Sequence, residues 1–331
     1  METRKVQVTG GSTYTVSLPK EWATEHGVSG GSVVEFHPED GSLLLTPQTE
    51  TERTEGTLDI TGLADDQLTR AVMTMYVSGF DVITLETPRI TADQRRTVRR
   101  AAQGLVGLEV IGETSEHVQL RDLLDSAELS VHNAVTRMRL VATTMLADAV
   151  DALVTDDSDL AADVTQRDDD VNRLYYMVSR VFRSVLRDPS AAAEIGFDRE
   201  TAFDYHSCAR QLERVADHAS KIAVNAQSLD TPPESVAGEL RDLHEAAATV
   251  VKQAMDAMLA DDSEEATRLA TEAHDAVAAV DDHVRKTDAL LLDLEPQQAQ
   301  LLGLVVDSLS RAGDYGGNIA EAALQKAAPK P

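Results

Sequence analysis

The pattern of apolar and polar positions changes twice along the 331 residues of the chain. Near the N-terminus, short stretches of β-forming residues alternate with Gly-Gly and Asp-Gly turns, which is typical of small hairpins. A short helix is predicted between Pro19, which opens it, and Gly27, which ends it. A segment of this size has a poor core of its own, so we expect it to dimerise. The predicted strands are Lys5–Val8, Tyr14–Leu18, Ser32–His37 and Leu43–Thr46.

The next segment, residues 55–118, alternates strands and helices at a spacing that predicts a small α/β sheet. No glycine-rich phosphate loop follows any of its strands, and no residue set in it points to chemistry. The predicted strands are Thr57–Ile60, Asp81–Glu86, Leu108–Glu113 and His117–Leu120, and the predicted helices cover about 64–78 and 91–105.

From about Leu120 onward the apolar positions follow a helical period. Helix breakers stand at Asp188-Pro189, Thr231-Pro232-Pro233 and Glu295-Pro296. The pattern predicts six long helices. They cover about 120–155, 159–187, 199–229, 234–260, 262–292 and 296–326.

These helices contain an internal repeat. The segment Ala149–Asp159 matches Ala254–Glu264, and Arg214-Val215-Ala216-Asp217 matches Arg311-Ala312-Gly313-Asp314, with an Ile-Ala pair at the same offset beyond each. Composition alone would not keep these residues in step. The sequence therefore predicts a mixed, mainly α fold in which residues 119–230 and 233–327 form two copies of a three-helix unit.

The charge of the chain is extreme, with 57 acidic against 30 basic residues and a formal net charge of −27. Concentrated salt screens the self-repulsion of such a surface, so the composition fits a halophile and says little about partners. No apolar run is long enough to span a membrane, and the N-terminus lacks the apolar core of a signal peptide, so we expect a cytoplasmic protein. The single Cys208 excludes an internal disulfide and a cysteine-based zinc site.

Two sets of polar residues could bind a metal. Glu213 and Asp217 are four residues apart, so their carboxylates share one helix face, as do Asp168 and Asn172 on the preceding helix. Carboxylates that project inward from facing helices are how helical bundles build metal sites. Two alternatives remain open: Arg214 could hold one carboxylate as an ion pair, or the acids could simply form a solvated face.

No nucleophile and base pair stands out, so we expect a non-enzymatic protein, with a metal-dependent hydrolase as the weakest alternative. The histidines that could act as ligands or bases are expected to be surface or capping residues. They are His206, His218, His274 and His283.

The six-helix duplication, with Leu-Glu-Arg-Val-Ala-Asp-His at 212–218 and Ser-Arg-Ala-Gly-Asp at 310–314, resembles the PhoU family of phosphate-uptake regulators. The resemblance implies two three-helix bundles, a dimer, bound metal and repression of phosphate uptake through a transporter or sensor kinase. Ser310 and Val277 stand where the family motif has acids, which puts the second site in doubt. The implied ligands are Asp168, Asn172, Glu213 and Asp217 in the first repeat and Asp281 and Asp314 in the second, for a divalent or trivalent ion such as iron, zinc, manganese or magnesium.

Residues 1–50 resemble the AbrB/SpoVT swapped-hairpin domain, through the strands around Ser17-Leu18-Pro19-Lys20-Glu21-Trp22 and the turn before Ser32-Val33-Val34. This resemblance implies an intertwined homodimer that binds DNA, with Arg4, Lys5 and Lys20 as the available phosphate contacts. Seven acidic residues surround those three, so a domain that only dimerises is the alternative. The two resemblances together predict a DNA-bound regulator of phosphate uptake; the second reading is an adaptor that inhibits the transporter or its kinase without touching DNA.

Overall fold

The computed structural model describes residues 3–39, 41–48, 53–123 and 130–329, which fall into two compact units, Met1–Arg53 and Thr54–Pro331. In the first unit, β1 (Gln7–Thr9) pairs antiparallel with β2 (Thr13–Thr15), and β3 (Val34–Glu39) pairs antiparallel with β4 (Ser42–Pro47). A one-and-a-half-turn helix, α1 (Lys20–Glu25), lies between the two hairpins in the sequence.

The predicted hairpins are present, but their first pair of strands is shorter than expected. Lys5 and Val6 precede β1, and β2 ends at Thr15 rather than Leu18. None of the described side chains in this unit is fully buried. The β-forming residues there have no core to pack into within one chain, so apolar pattern alone overestimates how far the strands extend.

The second unit begins with a four-stranded sheet in the order β5-β6-β8-β7. The strands β5 (Glu55–Asp59) and β6 (Val82–Glu86) are parallel, while β8 (His117–Asp122) is antiparallel to both β6 and β7 (Leu108–Glu113). Two helices cover the sheet, α2 (Asp65–Val77) and α3 (Ala92–Gln103). Their buried residues, among them Leu68, Val72, Tyr76 and Val98, pack on Ile83 and Leu85 of the central strand.

Seven helices follow, one of which the sequence did not predict. They are α4 (Val131–Thr155), α5 (Ser158–Arg187), α6 (Pro189–Ile195), α7 (Arg199–Ala226), α8 (Glu234–Leu259), α9 (Ser263–Leu291) and α10 (Pro296–Ala327). The short helix α6 occupies the predicted break, because the Asp188 carboxylate caps it and Pro189 is its first residue. The helix predicted from about Leu120 is wrong at its start: β8 continues to Asp122, and the helix begins at Val131.

The long helices form the two predicted repeats, α4-α5-α7 and α8-α9-α10, which share one apolar core. Equivalent residues begin the second helix of each repeat: Asp157 caps the amide of Leu160, and Asp262 caps the amide of Glu265, both at 2.9 Å. No described helix is both long enough and apolar enough to cross a bilayer.

A buried arginine connects the sheet to the first repeat. Arg180 of α5 donates to the carbonyl oxygens of Tyr76 and Phe80 at 2.8 and 3.0 Å, and it pairs with Asp81 and Asp122 at 2.8 and 2.9 Å. Its guanidinium also lies 5.0 Å from the centre of the Tyr76 ring. These contacts hold α5 against the sheet.

Candidate metal centre

The four candidate ligands of the first repeat lie on the facing helices α5 and α7. The Asn172 amide donates to Asp168 Oδ2 at 2.8 Å, as their spacing of four residues predicts. Burial, followed by the neighbouring charges of Asp217 and Asp169, raises the pKa of Asp168 to about 6. The influence of Asp217 across the helix pair shows that the two predicted halves of the site come together.

Glu213 is the most buried acid of this cluster, with 8% of its surface exposed. Burial and the nearby Asp217 raise its pKa, while Arg210 opposes them. Arg210 pairs with Glu213 Oε1 at 3.1 Å. The ion pair that the sequence suggested for Arg214 is thus made by Arg210 instead, because Arg214 lies over the ring of Tyr315, 5.6 Å from its centre.

Two carboxylate oxygens of the cluster have no hydrogen-bond partner. They are Asp168 Oδ1 and Glu213 Oε2, and both are buried. An unpaired buried anionic oxygen is costly, and hard cations take oxygen ligands. Asp168, Glu213 and Asp217 thus offer oxygen ligands of the kind that a divalent or trivalent ion takes, but their ligand atoms do not all lie within 4.8 Å of one another.

The predicted second site is different. Asp281 and Asp314 are both exposed, and Asp314 makes only a long contact of 3.5 Å with Arg311. The first-repeat acids Asp168 and Glu213 are replaced by a half-buried Val277 and by Ser310. Among the described residues, Asp281 and Asp314 have no buried carboxylate beside them comparable to Glu213. A metal at this second site stays a prediction.

Another group of ligand atoms lies elsewhere in the second repeat. Within the described part of the chain, Glu239, Asp242 and His283 are the one set of three whose ligand atoms all lie within 4.8 Å of one another. His283 Nδ1 and Glu239 Oε1 are 2.5 Å apart. Sequence reasoning named His283 but missed the acids; their spacing of three on α8 was the available signal, and it is common in so acidic a chain.

The remaining histidines mostly pack against aromatic rings. His206 stacks between Tyr175 and Phe182, and burial lowers its pKa. His218 lies next to Tyr315, the residue at the same position of the second repeat, with Nε2 3.4 Å from the tyrosine hydroxyl. Neither is the exposed surface residue that the sequence suggested.

The predicted DNA contacts lie on the small N-terminal unit. Arg4, Lys5 and Lys20 are all exposed. The same unit exposes apolar side chains to an unusual degree. Between 53 and 77% of the side-chain surface is exposed at Val6, Val8, Tyr14, Val16, Val33, Phe36 and Leu43.

Comparisons with known protein families match two segments of the chain. Residues 135–226 match the PhoU domain, and residues 7–53 match the family described as "Antidote-toxin recognition MazE, bacterial antitoxin". The PhoU match covers the repeat with the carboxylate cluster. The predicted resemblances to PhoU and to an AbrB-type hairpin domain are thereby confirmed.

Individual relatives extend the similarity to a larger share of the chain than either family match covers. The phosphate-specific transport system accessory protein PhoU homolog of Pseudomonas aeruginosa is 28% identical over 180 residues, which are 53% of this chain and 72% of the relative. The homolog from Pseudomonas putida is 27% identical over 53% of this chain and 68% of its own. The crystal structure of PhoU from Pseudomonas aeruginosa matches 59% of this chain and 93% of that structure, with a TM-score of 0.50 and 25% identity.

Proposed function

We propose that this chain, which carries a PhoU domain in its helical region and a MazE/AbrB-like hairpin domain at its N-terminus, is a DNA-bound regulator of phosphate transport. The observation that carries the proposal is the presence of both domains in one chain. The helical part supplies phosphate signalling, and the hairpin part supplies the contact with a promoter.

The phosphate part of the proposal rests on the relatives. Both curated relatives are accessory proteins of a phosphate-specific transport system, and the similarity extends over more than two thirds of each. An accessory protein acts through its partners rather than by catalysis. The chain accordingly works in the cytoplasm without enzymatic activity, and components of a phosphate transporter or its sensor kinase are its protein partners.

The hairpin unit supports a homodimer. Strands β1 and β2 are exposed along their whole length, and apolar residues in them, such as Val8 and Tyr14, are 63 and 77% exposed. A second copy would cover them and close the sheets, which a unit of 53 residues can hardly do alone. Dimerisation also doubles the basic set of Arg4, Lys5 and Lys20, which supplies the phosphate contacts that DNA binding requires.

The carboxylate cluster supports metal binding by the bundle. Asp168, Glu213 and Asp217 would hold the ion, with Asn172 orienting Asp168 through their hydrogen bond. A hard cation there supplies positive charge between carboxylates that otherwise repel one another. We expect metal titration of the EDTA-stripped chain to show high-affinity binding, lost in Glu213→Gln and kept in the exposed control Asp314→Asn. Equal metal binding by both variants would contradict this assignment.

The DNA part is tested by chromatin immunoprecipitation of the tagged chain from phosphate-rich and phosphate-starved cells. We expect enrichment at phosphate-transport promoters that changes with phosphate supply and disappears when residues 1–53 are deleted. Promoter occupancy retained by the deletion variant would exclude the hairpin unit as the DNA contact.

A second candidate is an adaptor that inhibits the transporter or its kinase without binding DNA. It is favoured by the seven acidic residues among residues 1–50, which oppose contact with a phosphate backbone. This reading expects a flat immunoprecipitation profile together with co-purification of a transport or kinase component. Failure to recover either component at any phosphate level would count against it.

A further inference from the structure

A cleft lies between the sheet and the first helical repeat, walled by α2 on one side and α5 on the other. Its volume is about 320 Å³, at the small end of ligand cavities, which span about 300–1,000 Å³. The cleft contains no carboxylate, although acidic residues outnumber basic ones almost two to one in the chain. Its lining residues are Arg70, Met73, Thr74, Val77, Ser78, Tyr175, Tyr176, Ser179 and Arg183.

The floor of the cleft has a hydroxyl group with no partner. Ser179 is 5% exposed, and its Oγ is buried without a hydrogen bond to any described residue. A serine on a helix can donate to a backbone carbonyl of the preceding turn, as Ser184 does to Val181 on the same helix at 2.7 Å. The Ser179 hydroxyl does not make this bond, and Ser179 lines the cavity. Its hydroxyl group is therefore placed to bind a ligand in that cavity.

Cationic and phenolic donors surround this hydroxyl. Arg70 of α2 and Arg183 of α5 reach the cleft from its two walls, and Arg70 uses its Nε on the carbonyl oxygen of Asp66 at 3.2 Å. Burial, and then the charge of Glu213, raises the pKa of Tyr176, so its phenol stays protonated and can donate. Two guanidinium groups with hydroxyl donors between them match an anion with several acceptor oxygens.

The walls of the cleft are held in place by neighbouring contacts. Arg180, next to Ser179, bonds the backbone of Tyr76, next to Val77. Further along the same helices, Arg187 of α5 donates to the carbonyl oxygen of Ser78. The two helices that form the walls are thus held together, which reduces the cost of closing them around a ligand.

We propose that this cleft binds a phosphoryl group, either inorganic phosphate or the phosphate of a small phosphomonoester. Arg70 and Arg183 supply the charge, and Ser179 and Tyr176 donate hydrogen bonds to the phosphoryl oxygens. The assignment goes beyond the proposed function, because it names a ligand and places it at the junction of the sheet with the bundle.

The test is isothermal titration of the full chain with potassium phosphate, AMP and potassium acetate, in EDTA and at constant KCl. EDTA removes any metal that could itself take phosphate at the carboxylate cluster. We expect phosphate or AMP to bind once per chain and acetate to bind at least about tenfold more weakly. Binding of phosphate alone identifies the free ion as the ligand, and binding of AMP alone identifies a phosphomonoester.

Variants assign the binding to the cleft. Arg70→Gln, Arg183→Gln and Ser179→Ala should each weaken it by about tenfold or more. Arg173→Gln is the control, because Arg173 is exposed on the same helix α5 and lies outside the cleft. Absence of phosphate and AMP binding, acetate binding of equal strength, or unchanged binding in Arg70→Gln and Arg183→Gln would overturn the proposal. None of these binding results depends on promoter occupancy, so failure of the phosphoryl proposal and failure of the DNA-bound function are distinguishable.

Discussion

The two helical repeats have the same fold but different interiors where α5 meets α7 and where α9 meets α10. In the first repeat, half-buried Asp168 faces buried Glu213 and half-buried Asp217. Alignment of Val171 with Val280, both buried, places Val277 at the position of Asp168. The duplicated fold therefore tolerates either buried carboxylates or apolar side chains at one interface.

The second repeat replaces charge with close packing. A Cβ atom added to Gly313 would lie 3.1 Å from the side chain of Val280, and one added to Gly316 would lie 2.8 Å from Val250 Cγ1 and 2.9 Å from the backbone nitrogen of Val251. The first repeat has Ala216 and Ala219 at the same two positions. Glycine lets α10 approach its neighbours more closely than an alanine would allow, which suits an interface without a ligand.

The two repeats thus share the elements that start and pack the helices, but the buried carboxylates between the second and third helices are found in the first repeat. The first repeat also carries the sheet, through the contacts of Arg180 with Asp81 and Asp122. The carboxylate cluster, the arginine that holds the sheet and the proposed phosphoryl cleft all lie on α5 and its neighbours. The second repeat completes the shared core.

The largest effect is expected from removing Arg180, the arginine that joins the first repeat to the sheet. Arg180→Met would remove the 2.9 Å ion pair with Asp122, in which both side chains are 9% exposed. Breaking a buried ion pair costs about 3–5 kcal/mol of unfolding free energy. Chemical denaturation should show this loss, whereas Arg173→Met, an exposed position on the same helix, should change stability by less than about 0.5 kcal/mol. Similar stability of the two variants would mean that Arg180 does not anchor the sheet.

A smaller effect should distinguish the packing of the second repeat. Gly316→Ala places a methyl group against the backbone of Val251, which cannot yield as a side chain can. Overpacking of this kind costs about 1–3 kcal/mol. Gly303→Ala is the matched control on α10, because nothing lies within 4 Å of its added Cβ and the better helix former should stabilise by up to about 1 kcal/mol. Thermal unfolding that moves in the same direction for both would refute the close-packing argument.

Much of this architecture follows from local rules that the sequence displays. The duplication could be predicted because Asp157 and Asp262 cap equivalent helices and because the matching residues keep their spacing. The carboxylate cluster followed from spacing of four residues on two helices and from the family resemblance. The duplication and the carboxylate cluster depend on contacts within one helix, or between neighbouring helices of one repeat.

Contacts between distant segments could not be predicted in this way. Arg180 looks like one more amphipathic arginine until the sheet supplies Asp81 and Asp122, which lie 99 and 58 residues away along the chain. The extension of β8 to Asp122 depends on two neighbouring strands that its own residues do not reveal. The cleft lined by Ser179 exists only once α2 is packed against α5, so no local pattern announces it.

The smallest expected effect tests whether the charge of Asp168 in the first repeat lowers the stability of the fold, and whether a bound metal removes that loss. Without metal, the pKa of Asp168 is raised from 3.8 to about 6, so between these values the folded chain holds a proton that the unfolded chain has lost. Asp168 therefore lowers the free energy of unfolding progressively as the pH rises from 3.8 to about 6. The full loss of stability persists at higher pH. In EDTA, Asp168→Asn should be more stable than the wild type above pH about 6, and the advantage should vanish towards pH about 4.

Metal should reverse that order. A cation that binds the folded state stabilises it in proportion to the logarithm of its concentration, and only the wild type keeps the full ligand set. The control is Asp314→Asn, the exposed counterpart of Asp217 in the second repeat, which should show neither the pH dependence nor the reversal. If Asp168→Asn and Asp314→Asn respond alike to pH and to metal, the two repeats do not differ in the way their interiors suggest. If only Asp168→Asn responds, the first repeat retains a destabilising charge because the charge binds a ligand.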